Sequence, residues 1–320
     1  MKNAHLNHYL TGLLLVVALS SKAAGKQPVT PVPFGDPFIL LYEGTYYAYG
    51  THSTEGIEVF TSDDLLTWSR PSSLKDGLAL RKVDVNAERW YWAPEVYQVN
   101  GKFYMYYSGD EHIWVATSDS PLGPFLQTEK EPLISGEKCI DNSLFRDDDG
   151  KAYLFFDRFN DGLNIWVAEL SEDLVHLKKE TMHPCIHVSQ PWEEIWPRVN
   201  EGAFVIKHNR IYYMTYSANS YESPYYGLGC ATTSNLMGTW TKYESNPIFQ
   251  KPGNLVGVGH SAFFTDKESN LRIVFHAHKD SANIHPRAMH IGTARFEKQV
   301  GADRLVIDST FLTPNLIMRK

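Results

Sequence analysis

The apolar and polar residues along the chain repeat one short plan several times. Each copy begins with a turn and a strand rich in Tyr or Phe. A polar gap, a second apolar strand and a segment ending in an aromatic residue follow. Five copies begin at the segments GTYYAYGTHS, GKFYMYYSGDE, GKAYLFFDRFND, NRIYYMTYSANS and NLRIVFHAHKDS. Helical periodicity is scarce between them, so the sequence predicts an all-β protein.

The spacing of the copies indicates how the strands assemble. Four copies end at Trp68, Phe125, Trp240 and Phe296, a spacing of about 57 residues per copy. A repeat of this length with several short strands is typical of a propeller blade. Five copies therefore predict a five-bladed β-propeller forming a single domain over residues 26–320. A β-sandwich is the alternative, but it does not explain five repeats of the same order.

The N-terminal residues follow a different pattern. A basic residue, Lys2, precedes the apolar run LTGLLLVVALS, and small residues follow at Ala23, Ala24 and Gly25. This order predicts a signal peptide over residues 1–25 and export to the periplasm or the extracellular space. The alternative is a buried N-terminal helix. The run is too short to span a bilayer, so we expect no membrane span in the mature chain.

Composition narrows the class of partner. The formal net charge of -7 argues against nucleic acid, because phosphate binding needs clustered Lys and Arg. The chain contains 18 Tyr and 8 Trp, more than a core usually requires. Because flat aromatic faces are common platforms for sugar rings, this composition favours a glycan partner.

A propeller brings the first strand of every blade to a central channel, so functional side chains should lie at similar places in different blades. Three acidic residues meet this rule: Asp36 in PFGDPFILLYEGTYY, Asp141 in CIDNSLFRDDDGKAYLFF and Glu201 in RVNEGAFVIKHNRIYYM. An isolated Asp is usually a turn or capping residue. Three acids in equivalent places beside apolar strands, where an idle carboxylate costs desolvation energy, indicate a shared function.

Cleavage of a glycosidic bond suits such a set. It needs one carboxylic acid that stays protonated and donates to the leaving oxygen, and one ionised carboxylate that attacks the sugar or activates water. A third carboxylate can raise the pKa of the acid through like-charge repulsion and orient it.

The segments GDPFIL, WAPEV, CIDNSLFRDDDGK, NEGAFV and GVGHSAFF resemble, in this order, glycoside hydrolase family 43. Its members include α-L-arabinofuranosidases, β-xylosidases, arabinanases and some galactanases. The resemblance implies that Asp36 is the general base, that Glu201 is the general acid and that Asp141 tunes the pKa of the acid and orients it. It also implies an inverting mechanism. One departure is Ala203 after Gly202, where many members have Pro, and this leaves the subgroup and the substrate open.

Further residues gain a role from the same resemblance. Trp92 is a candidate stacking platform for a sugar, or else a core residue. Arg287 fits an Arg that contacts sugar hydroxyls in similar enzymes, or else a solvated surface residue. Glu95 begins blade two as Asp36 begins blade one, and it either contacts substrate or closes a turn.

The resemblance also raises the question of a metal. His260 is expected to face the central channel, where similar proteins often hold a calcium ion that this His contacts directly or through water. Calcium prefers oxygen ligands, so water would supply most of its shell. His276 and His278 lack a third ligand and are predicted to pack in the core or the channel. No organic cofactor is expected.

Together these features predict an exported inverting hydrolase that releases α-L-arabinofuranose or β-xylose from plant-type glycans. One alternative is a galactan-active or fructan-active propeller hydrolase, although the Asn-Asp-Pro-Asn-Gly motif of the fructan enzymes is absent around Asp36. Another is a propeller lectin that binds glycans without cleaving them.

Overall fold

The computed structural model describes residues 30–195 and 197–317, and their strands form five small sheets. The predicted signal peptide, residues 1–25, lies outside the described residues. No helix in the described part of the chain is long and apolar enough to cross a membrane. Short 3₁₀ turns occur at Lys82–Asp84, Lys179–Thr181 and Pro191–Glu193.

Each sheet is one blade, and its strands follow chain order from the axis outward. Blade one contains β1 (Gly35–Tyr42), β2 (Thr45–Thr51), β3 (Gly56–Ser62) and β4 (Thr67–Ser69), with β5 (Leu78–Arg81) paired to β3. Blade two contains β6 (Trp92–Val99), β7 (Lys102–Gly109) and β8 (His112–Ser118). Blade three contains β9 (Cys139–Arg146), β10 (Ala152–Phe159), β11 (Leu163–Glu169) and β12 (His183–Ile186).

Blades four and five repeat the same plan. Blade four contains β13 (Asn200–His208), β14 (Ile211–Ala218), β15 (Gly227–Thr233) and β16 (Thr241–Lys242). Blade five contains β17 (Gly259–Thr265), β18 (Leu271–Ala277), β19 (Ala288–Glu297) and β20 (Arg304–Leu312). The last strand, β21 (Asn315–Ile317), pairs in parallel with β4 of blade one.

The five blades close into a ring around an axis. The first strands β1, β6, β9, β13 and β17 each contact the first strands of both neighbouring blades. Pairing of β21 with β4 returns the end of the chain to blade one and leaves no open gap between the first and last blades. This confirms the predicted five-bladed β-propeller and explains why the repeat appears five times in the sequence.

The abundant Tyr residues mostly build the core. Aromatic side chains fill much of the core, and many are almost fully buried. They include Tyr46, Tyr49, Tyr91, Tyr106, Tyr107, Tyr213, Tyr216, Tyr226 and Trp68. Much of the aromatic excess therefore belongs to the core, and not to exposed faces that could meet a sugar. A propeller with five blades has five blade-to-blade interfaces, and wide aromatic rings fill the space between them.

Every first strand has the same irregularity near its start, where the pairing with the second strand shifts. The first residue of the shift has a positive φ in all five blades: Asp36, Ala93, Asp141, Gly202 and His260. Its N–H donates to a side chain of the second strand in the preceding blade. We call these five contacts the junction hydrogen bonds. They join Ala93 to Thr51, Asp141 to Ser108, Gly202 to Asp157, His260 to Ser217 and Asp36 to His276.

This register corrects two expectations about equivalence. Asp36, Asp141 and His260 do occupy matching positions in their blades, but Glu201 lies one residue before the matching position, which is Gly202. The counterpart of Asp36 in blade two is Ala93 and not Glu95. A two-residue bulge cannot be located from apolar patterning alone, which is why the sequence did not separate neighbouring positions.

Candidate active site

The starts of the first strands bring Asp36, Asp141 and Glu201 into one buried pocket at the propeller axis. Each of the three acids is less than a tenth exposed. His260 connects two of them, because its Nδ1 lies 3.4 Å from Asp36 Oδ1 and 3.8 Å from Asp141 Oδ2. The Gly202 backbone, next to Glu201, packs against the same imidazole. Residues separated by more than 160 positions in the sequence therefore form one carboxylate cluster.

Asp36 is held as an ionised carboxylate. Arg287 Nη1 donates to its Oδ1 at 2.6 Å and Nη2 donates to its Oδ2 at 3.0 Å. Thr51 Oγ1 donates to Oδ2 at 2.6 Å. Burial alone would raise the pKa of Asp36, but Arg287, followed by His260 and His276, outweighs burial and holds this pKa well below its usual range.

Arg287 reaches Asp36 because the backbone beside it carries no side chain. A Cβ at Gly35 would overlap the Arg287 guanidinium. Arg287 is itself buried, and its guanidinium carbon lies 4.9 Å from the centre of the Tyr221 ring. The structure therefore places this Arg on Asp36 rather than on the open surface, and its contact with sugar hydroxyls stays a prediction.

Glu201 has a different set of neighbours. Tyr226 donates its hydroxyl to Glu201 Oε1 at 2.7 Å. Burial raises the pKa of Glu201 to about 7, the Tyr226 hydrogen bond acts to lower it, and the charge of Asp36 acts to raise it. A carboxyl group with a pKa near neutrality keeps its proton at moderate pH and can donate it in a reaction.

Asp141 lies beside a fourth carboxyl group, Asp157, on the second strand of the same blade. Burial, and then the charges of Glu201 and Asp36, raise the pKa of Asp141 well above its usual range. Burial, and then the charges of Asp141 and Glu201, do the same to the pKa of Asp157. Because ionising one buried acid makes ionising its neighbour more costly, Asp141, Asp157 and Glu201 titrate as a coupled group.

Burial lowers the pKa values of both histidines beside Asp36. Burial, together with the Arg287 charge, lowers the pKa of His276 to about 3. Its Nδ1 accepts the Asp36 N–H at 3.0 Å. Burial also lowers the pKa of His260, against the opposing effect of Asp36. His278, predicted with His276 to pack in the core or channel, contacts the Tyr221 carbonyl through its Nε2 at 2.6 Å.

The side chains around His260 do not form an evident metal site. Within residues 30–195 and 197–317, no group of three or more His, Cys, Asp or Glu side chains is arranged to hold a metal ion. His260 directs its Nδ1 toward the two carboxylates. Calcium at His260 therefore stays a prediction.

Trp92 lies one residue before Ala93, the position that Glu201 holds in blade four. It is half-buried, and its ring stacks on the Trp90 ring with centres 5.4 Å apart and an angle of 16°. Trp90 is 39% exposed, and the Arg89 guanidinium lies 3.9 Å from its centre. The position of Trp92 suits a sugar platform, and that role stays a prediction.

Sequence reasoning missed three residues of the pocket: Asp157, Tyr226 and Thr51. Two of them, Thr51 and Asp157, hold equivalent places on the second strands, together with Ser108, Ser217 and His276. The fivefold repeat would have revealed this set if the second strands had been aligned as the first strands were. Tyr226 follows a loop, and no repeated position marks it.

A five-bladed propeller with an ionised Asp, a protonatable Glu and further carboxyl groups in one axial pocket defines the class of glycoside hydrolases built on this fold. The profile of the glycosyl hydrolases family 43 matches residues 25–299, so the chain belongs to that family and is an O-glycosyl hydrolase, as the sequence predicted.

Individual relatives agree with this assignment. A crystal structure described as an endo-1,4-beta-xylanase from Bacteroides thetaiotaomicron is 44% identical, with a TM-score of 0.85, covering 90% of this chain and 98% of the other. A thermostable family-43 glycoside hydrolase is 34% identical, with a TM-score of 0.78, covering 90% and 97%. The beta-D-galactofuranosidase xynD of Aspergillus niger is 29% identical, with 85% of this chain and 82% of the relative covered.

Proposed function

We propose that this protein is an exported inverting glycosidase that releases α-L-arabinofuranose or β-xylose from plant-type polysaccharides or oligosaccharides. The observation that carries the proposal is the electrostatic contrast within one pocket. Arg287 keeps Asp36 ionised, whereas burial keeps Glu201 protonated at moderate pH. Hydrolysis of a glycoside requires one carboxyl group in each of these states.

In the proposed reaction, Asp36 accepts a proton from a water molecule as the water attacks the anomeric carbon. Glu201 donates its proton to the leaving oxygen as the glycosidic bond breaks. The transition state resembles an oxocarbenium ion, so the water needs only modest activation early in the reaction. Asp36 still has acceptor capacity beyond its contacts with Arg287 and Thr51, since an ionised carboxylate accepts about four hydrogen bonds.

Relatives of two kinds bear on the choice of sugar. Proteins named xylosidase/arabinosidase occur in Humicola insolens and Butyrivibrio fibrisolvens, at 27% and 28% identity. The Aspergillus niger relative is named a galactofuranosidase, and this favours D-galactofuranose as a second candidate. L-Arabinofuranose and D-galactofuranose share a five-membered ring and differ by one exocyclic hydroxymethyl group.

Export is part of the same proposal. The N-terminal pattern supports it, and a relative from Streptomyces chartreusis is named an extracellular exo-alpha-(1->5)-L-arabinofuranosidase. We expect to recover the protein from outside the cytoplasm. Mass spectrometry should then show a chain that begins near residue 26. A full-length chain retained in the cytoplasm would contradict export without affecting the proposed reaction.

A screen of matched glycosides tests the activity. The purified protein is assayed on aryl α-L-arabinofuranoside, β-xyloside, β-D-galactofuranoside and β-galactopyranoside, with sucrose and inulin for fructan activity and Asp36→Asn as the inactive control. We expect hydrolysis of one of the first two, and proton NMR should detect the inverted anomer first. Binding without turnover, or a first product with retained configuration, would contradict the proposal.

A further inference from the structure

Asp157 is a buried carboxyl group that the proposed reaction does not use. It lies near the end of β10, opposite Ile140 on β9, and its side chain has no exposed surface. Its Oδ2 accepts the Gly202 N–H at 2.9 Å, which is the junction hydrogen bond between blades three and four. Gly202 directly follows Glu201, so Asp157 fixes the backbone from which the proposed acid projects.

The other blades show that this junction does not require a carboxyl group. Thr51, Ser108 and Ser217 make the same contact with a hydroxyl oxygen. A buried carboxyl group costs far more desolvation energy than a hydroxyl, so its presence at one junction calls for a second interaction. Asp157 is also the only junction acceptor among these five that is itself an acid.

The second interaction is with Asp141. The side chains of Asp157 and Asp141 are within hydrogen-bonding reach of each other. Two carboxyl groups can share a hydrogen bond only if one of them carries a proton. No donor among the described residues reaches Oδ1 of Asp157, which is buried. Oδ1 is therefore available for a hydrogen bond with Asp141, while Oδ2 accepts the Gly202 N–H.

We propose that Asp157 is a positioning residue that keeps a proton on Oδ1 and donates it to Asp141, while its Oδ2 holds the backbone beside Glu201. The inference rests on the proposed function, since it assigns Asp157 to the support of the proposed acid. The donated hydrogen bond stabilises the charge of Asp141, and this charge keeps Glu201 protonated to higher pH. Asp157 thus acts through two neighbours and not on the substrate.

The charged and titratable groups around Asp157 fit this assignment. Asp141 and Glu201 face it from the first strands of blades three and four, and both raise its pKa. The thiols of Cys139 and Cys185 also lie near it, and burial raises the pKa of each. Burial beside two other acids favours the protonated form of Asp157.

Two substitutions separate this role from a purely structural one. Asp157→Ser keeps an acceptor for the Gly202 N–H, as at Ser108 and Ser217, but removes the donor to Asp141. Asp157→Asn keeps both, because its carbonyl oxygen can replace Oδ2 and its amide can replace the protonated Oδ1. Asp147→Asn, at the opposite end of the same strands, is the matched control for a carboxyl-to-amide change. Circular dichroism and thermal unfolding establish that each variant is folded.

The readout is the pH dependence of kcat/KM on the substrate found by the screen. We expect Asp157→Ser to move the basic limb to lower pH by about half a unit to one unit and to lower kcat by about tenfold, with KM little changed. Asp157→Asn and Asp147→Asn should keep the wild-type limb. A wild-type limb in a folded Asp157→Ser variant, or equal losses in the Ser and Asn variants, would overturn the inference. A wild-type rate in Asp36→Asn would instead overturn the proposed function.

Discussion

Asp36 and Glu201 are buried to nearly the same degree, 8% and 9% exposed, yet their environments give them opposite protonation states. Asp36 meets a guanidinium and a hydroxyl, and its pKa falls well below the usual range. Glu201 meets a phenol and the charge of Asp36, and burial raises its pKa to about 7. The identity of the neighbours, and not the extent of burial, therefore assigns the two proposed roles.

The largest expected effect comes from removing the proton of the acid. Glu201→Gln keeps the size of the side chain and the hydrogen bond from Tyr226, but it cannot donate a proton to a leaving oxygen. We expect a loss of about a thousandfold or more in kcat on an oligosaccharide. Steady-state kinetics check the loss, with thermal unfolding as the control for folding, and a residual rate above a tenth of wild type would contradict the contrast.

A second substitution, Arg287→Met, removes the cation that contacts Asp36. Arg287→Met should raise the pKa of Asp36, so that the acidic limb of kcat/KM moves to higher pH. Because Arg287 also lowers the pKa of Glu201, the basic limb should move upward too. We expect about a hundredfold loss at neutral pH. An activity profile with both limbs unmoved would mean that Arg287 does not set either protonation state.

Gly35→Ala tests the same ion pair without altering either partner. The added methyl group would overlap the Arg287 guanidinium and displace it from Asp36. We expect a smaller loss than for Arg287→Met, about tenfold, with the acidic limb moved in the same direction. Gly44→Ala is a comparison for the loss of a glycine, since nothing lies near a Cβ there, although the positive φ of Gly44 adds strain. An unchanged acidic limb in Gly35→Ala would contradict the close approach.

The smallest effect on activity is expected from Tyr226→Phe, which removes the hydrogen bond to Glu201. Tyr226 lowers the pKa of Glu201 by donating to its ionised form, so Tyr226→Phe should raise that pKa and move the basic limb to higher pH by about half a unit. Tyr213→Phe is the matched control, because the Tyr213 hydroxyl donates to the Asp303 carbonyl, outside the pocket. A basic limb that moves down, or that moves equally in both variants, would contradict the assigned hydrogen bond.

The sequence predicted the fold well because blades repeat. Five similar copies carry the same information five times, and the strand positions follow from apolar alternation and turn residues. The same repetition located Asp36, Asp141 and Glu201 at the starts of first strands. It did not reveal that Glu201 lies one residue before its counterparts, because a bulge shifts pairing without changing the apolar pattern.

Contacts between distant side chains could not be predicted in this way. The pairing of Asp36 with Arg287 joins blade one to blade five across 251 residues, and the Asp157 contact joins blade three to blade four. Such contacts depend on the closure of the ring, and each protonation state depends on several of them at once. Composition pointed to a glycan partner but did not locate its surface, since many of the Tyr residues are buried in the core.

The contrast between the two acids is tested most directly by measuring the rates of their variants on substrates with different leaving groups. Glu201→Gln and Asp36→Asn are each assayed on a nitrophenyl glycoside, whose leaving group needs little protonation, and on the matched alkyl glycoside. Glu201→Gln should retain most of its rate on the nitrophenyl substrate and lose it on the alkyl substrate, whereas a folded Asp36→Asn variant should lose both rates. Equal losses on the two substrates in Glu201→Gln would contradict its role as the acid.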